Sequence, residues 1–248
     1  MKNLKLFGER NTNTNYLSKL IALNLSASEM RGVVPDAIIK SQAALPGKEW
    51  LNDLYFGLTE EDNLGWKHAR ILPFNKAQQQ NVEDKKVGFV SVTKNPYSWL
   101  LSLYKRPYHD FNGKVDCFED FLNAPWLTVK RDNCQSVLKS PVELWNIKNR
   151  SYDLLAEYSY LQLRSEDVFE SPEGVIDRIS NDLEVDRLND DFVNYTRSTK
   201  DKSKDFAYYR DYYLNEEWRT LLSDSAVEII NESVDQSLMD RFGYATIS

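Results

Sequence analysis

Cysteine and histidine are scarce in this sequence, which narrows the kinds of site that it can build. The 248 residues include two cysteines and two histidines. Cys117 and Cys134 lack the close spacing of zinc ligands, so we predict no metal site. We expect both thiols to be reduced, as thiols are in most cytosolic proteins, although a bridge between them is an alternative.

Excess positive charge and long apolar runs are also missing. A formal net charge of −7 argues against a nucleic-acid partner, because no long basic face is available to replace the counterions of a phosphate backbone. No apolar run approaches the roughly 20 residues that a membrane helix requires. The apolar run near the start of the chain is too short to be the apolar core of a secretory signal. We therefore expect a cytoplasmic protein without a membrane span. The sequence does not indicate its oligomeric state.

Strand patterns alternate with helix patterns along the chain. Strands are predicted at Leu4–Phe7, Leu64–Ile71, Val87–Thr93 and Tyr158–Arg164. Helix starts are predicted at Asn95-Pro96, Ser140-Pro141 and Ser171-Pro172. Residues 194–211 are polar and are expected to be mostly loop. The alternation predicts an α/β fold, a three-layer sandwich around a central parallel sheet, in a single domain over residues 1–248.

The start of the chain is its most informative segment. The apolar run Leu4–Phe7 meets a polar loop that begins at Gly8, and a helical pattern follows from Tyr16. A strand, a loop and a helix in this order bring backbone N–H groups and the positive end of a helix to one point, which is how proteins commonly hold a phosphate. The alternative is an ordinary strand-to-helix turn with capping threonines.

This loop differs from the nucleotide-binding loop of ATPases and kinases. It has no lysine before its hydroxyl residue, and the strand Val87–Thr93 is followed by Lys94 rather than by an aspartate that could hold Mg²⁺. Arg10 and Lys94 are both expected at the carboxyl ends of strands, where ligands collect in parallel sheets. The sequence therefore predicts metal-free handling of an anionic ligand.

Several segments, in this order, resemble the motifs of sulfotransferases that use 3′-phosphoadenylyl sulfate (PAPS). Gly8–Tyr16 is similar to the family's phosphosulfate loop, P-[KR]-S-G-T-[TS]-W. Lys94-Asn95-Pro96, with Ser102 and Tyr104 further on, is similar to the R-N-P and S-x-Y elements of its 3′-phosphate motif. The segment from Leu163 to Glu173 and the ending Phe242-Gly243-Tyr244 are similar to later family motifs. The resemblance implies a fold like that of P-loop nucleotide kinases.

The resemblance also implies roles for individual residues. The phosphosulfate would be bound by the N-terminal loop, namely by Gly8, Arg10, Asn11, Thr12, Asn13, Thr14, Asn15 and Tyr16. Lys94 and Ser102 would bind the 3′-phosphate, and Lys202 or Lys204 would close over it; a solvated run of charge is the alternative for these last two. Tyr16 would stack on adenine, with core packing as its alternative. PAPS would be the co-substrate and adenosine 3′,5′-bisphosphate the product.

Two departures from the family pattern concern the same loop and motif. Asn13 stands where the family has glycine, a replacement that asparagine allows because it accepts a positive φ. Asn11 stands at the family's cationic position, so Arg10 would have to reach the ligand from one residue earlier. Lys94 replaces an arginine, which exchanges a bidentate fork for a point charge.

The sequence offers two candidates for a general base. His68 lies in a segment that resembles the family's K-x-H-x-P stretch, and imidazole titrates near neutrality as a base should. A satisfied buried histidine is the alternative. His109 is the reserve candidate. Lys67 would assist at the sulfuryl oxygens, although on a strand it would point away from His68 and a surface role is the alternative.

These features predict a sulfotransferase that moves the sulfuryl group of PAPS to a hydroxyl or amine of a glycan or small molecule. An unusual kinase that uses ATP and Mg²⁺ is one alternative, and a non-catalytic relative that binds a nucleotide or glycan is another. The acceptor is not encoded in any motif; residues 26–63 and 105–140 are expected to form its pocket.

Overall fold

The computed structural model describes residues 2–42, 47–109, 112, 115–197, 201 and 203–248. The strands are β1 (Lys2–Gly8), β2 (Ala27–Glu29), β3 (Val87–Thr93), β4 (Trp126–Leu127), β5 (Val137–Leu138) and β6 (Tyr160–Arg164). The helices are α1 (Thr14–Asn24), α2 (Asp36–Gln42), α3 (Lys48–Asn63), α4 (Lys76–Asp84), α5 (Pro96–Lys105), α6 (Phe118–Asn123), α7 (Pro141–Ser151), α8 (Ser165–Glu170), α9 (Pro172–Asp182), α10 (Phe206–Leu214), α11 (Asp224–Ser233) and α12 (Gln236–Phe242).

The central sheet is parallel, as predicted. Within the described ranges it contains four strands in the order β2-β1-β3-β6. Leu6 of β1 pairs with Val90 of β3, which pairs with Leu161 of β6. All four strands run in the same direction, so the carboxyl ends of β1, β3 and β6 lie at one edge. The chain leaves this edge into the segments that carry Arg10, Lys94 and Ser165.

Side chains that alternate along the strands build a core on each face of the sheet. Leu4, Leu6, Val90 and Val92 pack against α1 and α9. Phe7, Val87 and Phe89 project to the opposite face and pack with Val82 of α4 and with the short helix Tyr152–Leu155. Both faces are therefore covered, which confirms the predicted three-layer α/β arrangement.

The three predicted helix starts are confirmed by their caps. The side-chain oxygen of Asn95 accepts a hydrogen bond from the N–H of Tyr97, and Pro96 is the first residue of α5. Ser140 caps α7 and Ser171 caps α9 in the same manner, each ahead of a proline. Each cap satisfies an N–H group that the helix leaves without a partner.

The strand predicted at Leu64–Ile71 is wrong. Leu64 and Gly65 have φ values of 60° and 82°, which extended backbone cannot accommodate, and the segment forms turns. It is held at the carboxyl end of β1, where the N–H of Gly8 donates to the carbonyl oxygen of Lys67 and the N–H of Lys67 donates to that of Gly32, both at 2.9 Å. We call residues 64–71 the His68 turn.

A buried lysine connects this turn to the sheet. Lys5 lies in the middle of β1 with no exposed surface, and its Nζ donates to the carbonyl oxygens of Asn63 and Gly65, both at 2.5 Å. A third bond, of 3.2 Å, goes to the carbonyl oxygen of Arg31. Carbonyl oxygens satisfy the three donors of an ammonium group, so this buried polar group has partners.

The loop predicted at residues 194–211 is wrong at its end, because α10 begins at Phe206. Asp205 caps this helix through the N–H of Tyr208 at 3.0 Å. The C-terminal part of the chain forms a short 3₁₀ helix at Glu217–Leu221, followed by α11 and α12. Gly243 ends α12 with a φ of 67°. Both cysteines are free thiols.

Candidate functional site

A cleft of about 600 Å³ opens at the carboxyl edge of the sheet. It is lined by residues of the N-terminal loop, the His68 turn, the end of α5 and α10, and by Tyr195, Arg197, Asp201, Lys204 and Asp205. From the two stretches expected to form an acceptor pocket, it receives Val33 and residues 105–108. Clefts of this size at such a sheet edge are common ligand sites in α/β proteins.

The N-terminal loop is tightly wound between β1 and α1. A Cβ atom on Gly8 would lie 2.9 Å from both the carbonyl oxygen of Val92 and the hydroxyl of Thr12. That hydroxyl donates to the carbonyl oxygen of Glu9 at 2.6 Å, and Thr12 is buried and does not line the cleft. Only a residue without a side chain fits at position 8.

Two asparagines in the loop have left-handed backbone conformations. Asn11 has a φ of 67° and Asn13 a φ of 63°, so the second value agrees with the expectation drawn from the family's glycine. The side chain of Asn13 donates to the hydroxyl of Ser165 at 2.6 Å, which ties the loop to the start of α8. The backbone then enters α1 at Thr14, which lines the cleft with its neighbours Asn15 and Tyr16. The first N–H groups of α1 have no partner within the helix and can bind an anion.

Arg10 lines the cleft and is held by aromatic rings. Its guanidinium carbon lies 4.6 Å from the ring centroid of Tyr108 and 5.5 Å from that of Trp66. Its carbonyl oxygen accepts from the indole N–H of Trp99 at 2.7 Å. Such cation–π contacts orient a guanidinium without neutralising its charge.

Lys67 is buried rather than exposed, so the surface alternative is wrong for this residue. Its Nζ donates to the side-chain oxygen of Asn15 at 2.7 Å. Burial lowers the pKa of Lys67, the nearby Arg10 lowers it further, and Glu29 opposes both. Because residues 66–69 form turns and not a strand, Lys67 and His68 both line the cleft.

His68 lies at the floor of the loop. Its Nδ1 is 2.5 Å from the carbonyl oxygen of Gly8. A carbonyl oxygen can only accept, so the proton of the neutral ring resides on Nδ1 and Nε2 has a free lone pair. Burial places the pKa of His68 well below its usual value, and the charges of Lys67 and Arg10 lower it further. The imidazole is therefore neutral at physiological pH.

His109 occupies a different environment. It is buried, and its Nε2 lies 3.0 Å from a carboxylate oxygen of Asp132, while its Nδ1 is 3.4 Å from Glu49. Burial acts to lower the pKa of His109, but the hydrogen bonds to these two carboxylates outweigh it and raise the pKa. His109 does not line the cleft and faces acids that favour its charged form.

Lys94 is fully buried at the end of β3. Its Nζ donates to the hydroxyl of Ser102 at 2.9 Å and to that of Tyr213 at 3.0 Å, and both of these residues line the cleft. Burial lowers the pKa of Lys94 to about 7, although Glu166 acts in the opposite direction. The lysine predicted to bind a phosphate thus lies directly behind two hydroxyl groups that the cleft exposes.

Aromatic rings form one wall of the cleft. Tyr16 stacks on Phe169 with centroids 5.5 Å apart and contacts Phe206 at 5.7 Å, while its hydroxyl donates to Asn194. Phe169 also stacks on Tyr213 of α10. Tyr16 therefore packs against protein rings and lines the cleft at the same time.

Lys202 and Lys204 are the remaining cations predicted to contact the ligand. Lys204 lines the cleft, and its Nζ donates to the hydroxyl of Tyr208 at 2.8 Å. Arg197 lines it as well, and is paired with Asp205 in a β-bridge. Lys202 lies outside the described residues.

A buried ion network beneath the cleft was not predicted. Lys148 of α7 has no exposed side-chain surface, and its Nζ lies 2.5 Å from Glu9 and 2.6 Å from Asp132. Burial opposes the charge, but these two carboxylates raise the pKa of Lys148. The signal was present in the helical periodicity, because Lys148 follows Leu144 by four residues and lies on the apolar face of α7.

No family model and no curated protein matches this sequence. Among solved structures, the chain is similar to the mouse sulfotransferase SULT7A1 complexed with PAP. The two share 14% identity over 97% of this chain and 78% of that chain, with a TM-score of 0.40. Among the described residues, no helix has the length and apolar character needed to cross a bilayer.

Proposed function

We propose that this chain is a PAPS-dependent sulfotransferase that transfers the sulfuryl group to a hydroxyl or amine of a glycan or small molecule. The observation that carries the proposal is that one cleft is lined by the N-terminal loop, by His68 and by Ser102, which three separate segments of the sequence supply. Segments on opposite sides of the molecule could not have bound one nucleotide.

The loop end of the cleft is suited to the phosphosulfate. Unpaired N–H groups at the start of α1 would bind the 5′-phosphate, and Arg10 and Lys67 would bind the sulfuryl oxygens. Both cations line the cleft. Donors fixed before the reaction stabilise the charge that develops on the leaving phosphate.

The α5 end of the cleft is suited to the 3′-phosphate. The hydroxyl of Tyr213 would donate to it, and that of Ser102, which donates to the carbonyl oxygen of Ser98 at 2.8 Å, would turn toward it on binding. Lys94 behind them would supply the positive charge, and Lys204, which also lines the cleft, would add a second cation. The wall formed by Tyr16 and Phe169 would contact the adenine, while the ribose spans the two phosphate sites.

His68 would act as the general base. Its Nε2 takes the proton of the acceptor hydroxyl or amine, and the acceptor atom attacks sulfur. The bond between sulfur and the bridging oxygen breaks, and adenosine 3′,5′-bisphosphate leaves with the electron pair. The carbonyl oxygen of Gly8, which accepts the Nδ1 proton, would stabilise the imidazolium that forms.

Binding and turnover test the proposal separately. Isothermal titration should detect adenosine 3′,5′-bisphosphate and show much weaker binding of ATP with Mg²⁺; the reverse preference would favour a kinase. A screen of glycan and small-molecule acceptors with labelled PAPS should then find a product whose formation requires His68. A non-catalytic binding protein would bind the nucleotide, transfer sulfate to no acceptor, and keep its nucleotide affinity in His68→Ala.

A further inference from the structure

A single ammonium group connects the two sides of the His68–Gly8 contact. The Nζ of Lys148 donates to the carbonyl oxygen of His68 at 2.7 Å and to a carboxylate oxygen of Asp132 at 2.6 Å. It also forms an ion pair at 2.5 Å with the carboxylate of Glu9, the residue after Gly8. His68 and the residue next to Gly8 are thus both attached to α7 through Lys148.

Glu9 transmits this attachment to the loop. Its second carboxylate oxygen accepts from the N–H of Arg10 at 2.5 Å, so one side chain fixes the loop immediately after Gly8. Glu9 is 1% exposed, so its carboxylate is shielded from solvent. A buried ion pair of this kind is costly to break on one side only.

We propose that Lys148 is a positioning residue for His68, which holds the loop and the His68 turn together so that Gly8 keeps the ring proton on Nδ1 and Nε2 remains available to the cleft. The usefulness of this geometry for proton transfer rests on the function proposed above. The geometry itself does not. No described residue hydrogen-bonds to Nε2, so the contact with Gly8 alone selects the tautomer.

Lys148 also belongs to the charges that act on the ring. Arg10 of the loop, Lys67 of the turn and Lys148 of α7 are all cations, and each disfavours protonation of His68. Removing Lys148 leaves Glu9 without its cation beneath the turn and leaves Asp132 with His109 alone. We therefore expect His68 to become easier to protonate and to lose its fixed tautomer.

The test uses nitrogen NMR of the protein labelled at its two histidines, with the His68 signals assigned by His68→Gln. In the unaltered protein His68 should be protonated on Nδ1 only and should titrate well below the usual range of a histidine. In Lys148→Met it should show mixed tautomers, and its titration should move upward toward that range. The matched control is Ile179→Ala, which empties a fully buried site on the opposite face of the sheet.

A second variant covers the possibility that Lys148→Met does not fold. Glu9→Gln leaves Lys148 bonded to Asp132 and to the His68 carbonyl, and should speed exchange of the Nδ1 proton with solvent by about tenfold or more. The inference is overturned if both variants, or Glu9→Gln alone where the other is unfolded, leave the His68 tautomer, titration and exchange unchanged. It is also overturned if Ile179→Ala alters them equally. The tautomer, the titration and the exchange rate are all measured without nucleotide or acceptor. A failure here is therefore distinct from a failure of the proposed function.

Discussion

The ammonium group of Lys94 and the hydroxyl group of Tyr213 lie 3.0 Å apart although 119 residues separate them in the sequence. The contact joins the end of a central strand to α10, and it is buried. A lysine whose pKa has been lowered to about 7 is therefore held beside a space that we assign to a phosphate. Its protonation should respond to whatever enters that space.

We expect the binding of adenosine 3′,5′-bisphosphate to take up a proton. A bound dianion favours the charged lysine, so the pKa of Lys94 should rise in the complex and the affinity should fall by up to about tenfold per pH unit above 7. Titrations in buffers of different ionisation enthalpy measure the proton directly. Lys94→Met should bind weakly at every pH and take up no proton through this site. An equal proton uptake in that variant would contradict the assignment.

The same lysine should affect folding stability in a predictable direction. Its pKa is about 7 in the folded protein and 10.5 when unperturbed, so between those values the unfolded chain binds more protons. The free energy of unfolding of the unaltered protein, relative to Lys94→Met, should therefore rise as pH increases from 7 to 10. Urea unfolding at several pH values checks this. A difference that stays flat from pH 7 to 10 would mean that Lys94 keeps its proton in the folded state.

Gly8→Ala should damage both stability and binding. The added Cβ would lie 2.9 Å from the carbonyl oxygen of Val92, which belongs to a central strand and cannot move aside, so we expect a loss of about 1–3 kcal/mol. The matched control is Gly57→Ala in α3, where an added Cβ meets nothing within 4 Å and should stabilise by about 0.5–1 kcal/mol. Thermal unfolding with and without nucleotide separates the two effects.

Asn13 tests the backbone of the loop. Its φ of 63° suits glycine and strains alanine, so Asn13→Ala should be less stable than Asn13→Gly by about 1 kcal/mol. Both variants lose the bond to Ser165, and their difference therefore reports the backbone alone. Chemical denaturation of the pair measures it. Equal stabilities would show that position 13 is not left-handed in solution.

The two histidines should separate catalysis from stability. His68→Ala is expected to lower the turnover rate by about 10²–10⁴-fold with little change in nucleotide affinity. His109→Gln removes one of the two cations that pair with each of Asp132 and Glu49, leaving Lys148 beside the first and Arg131 beside the second, and should lower the unfolding temperature while leaving turnover measurable below it. The reverse pattern would make His109 the base.

Local patterns in the sequence predicted much of the fold, because short-range chemistry determines those features. Val87–Thr93 is mostly apolar and rich in β-branched residues, which is typical of a buried strand, and Asn95, Ser140 and Ser171 cap helices through residues two or three positions away. The strand prediction at 64–71 is wrong because the apolar residues of this segment belong to a turn. The positive φ angles of Leu64 and Gly65 are incompatible with a strand.

The site was predicted less completely than the fold. The loop residues and His68 were proposed because their types and order carry a family resemblance, and the structure brings His68 to the same cleft as Arg10, Asn11 and residues 13–16. Burial of Lys94 depends on Tyr213, and the role of Lys148 depends on Glu9 and Asp132, all distant in sequence. Contacts of this range leave no local pattern, apart from the position of Lys148 on the apolar face of its helix.

Lys5 anchors the His68 turn to the central sheet. Its ammonium group, in the middle of β1, donates hydrogen bonds to the carbonyl oxygens of Asn63 and Gly65. The position of the His68 imidazole relative to the sheet is therefore determined by β1. Helix α3 on one side, and the stretch that follows Ile71 on the other, can therefore vary in length or sequence without shifting His68. In the sulfotransferase that we propose, new acceptor-binding surfaces could accordingly arise there while His68 stays in place.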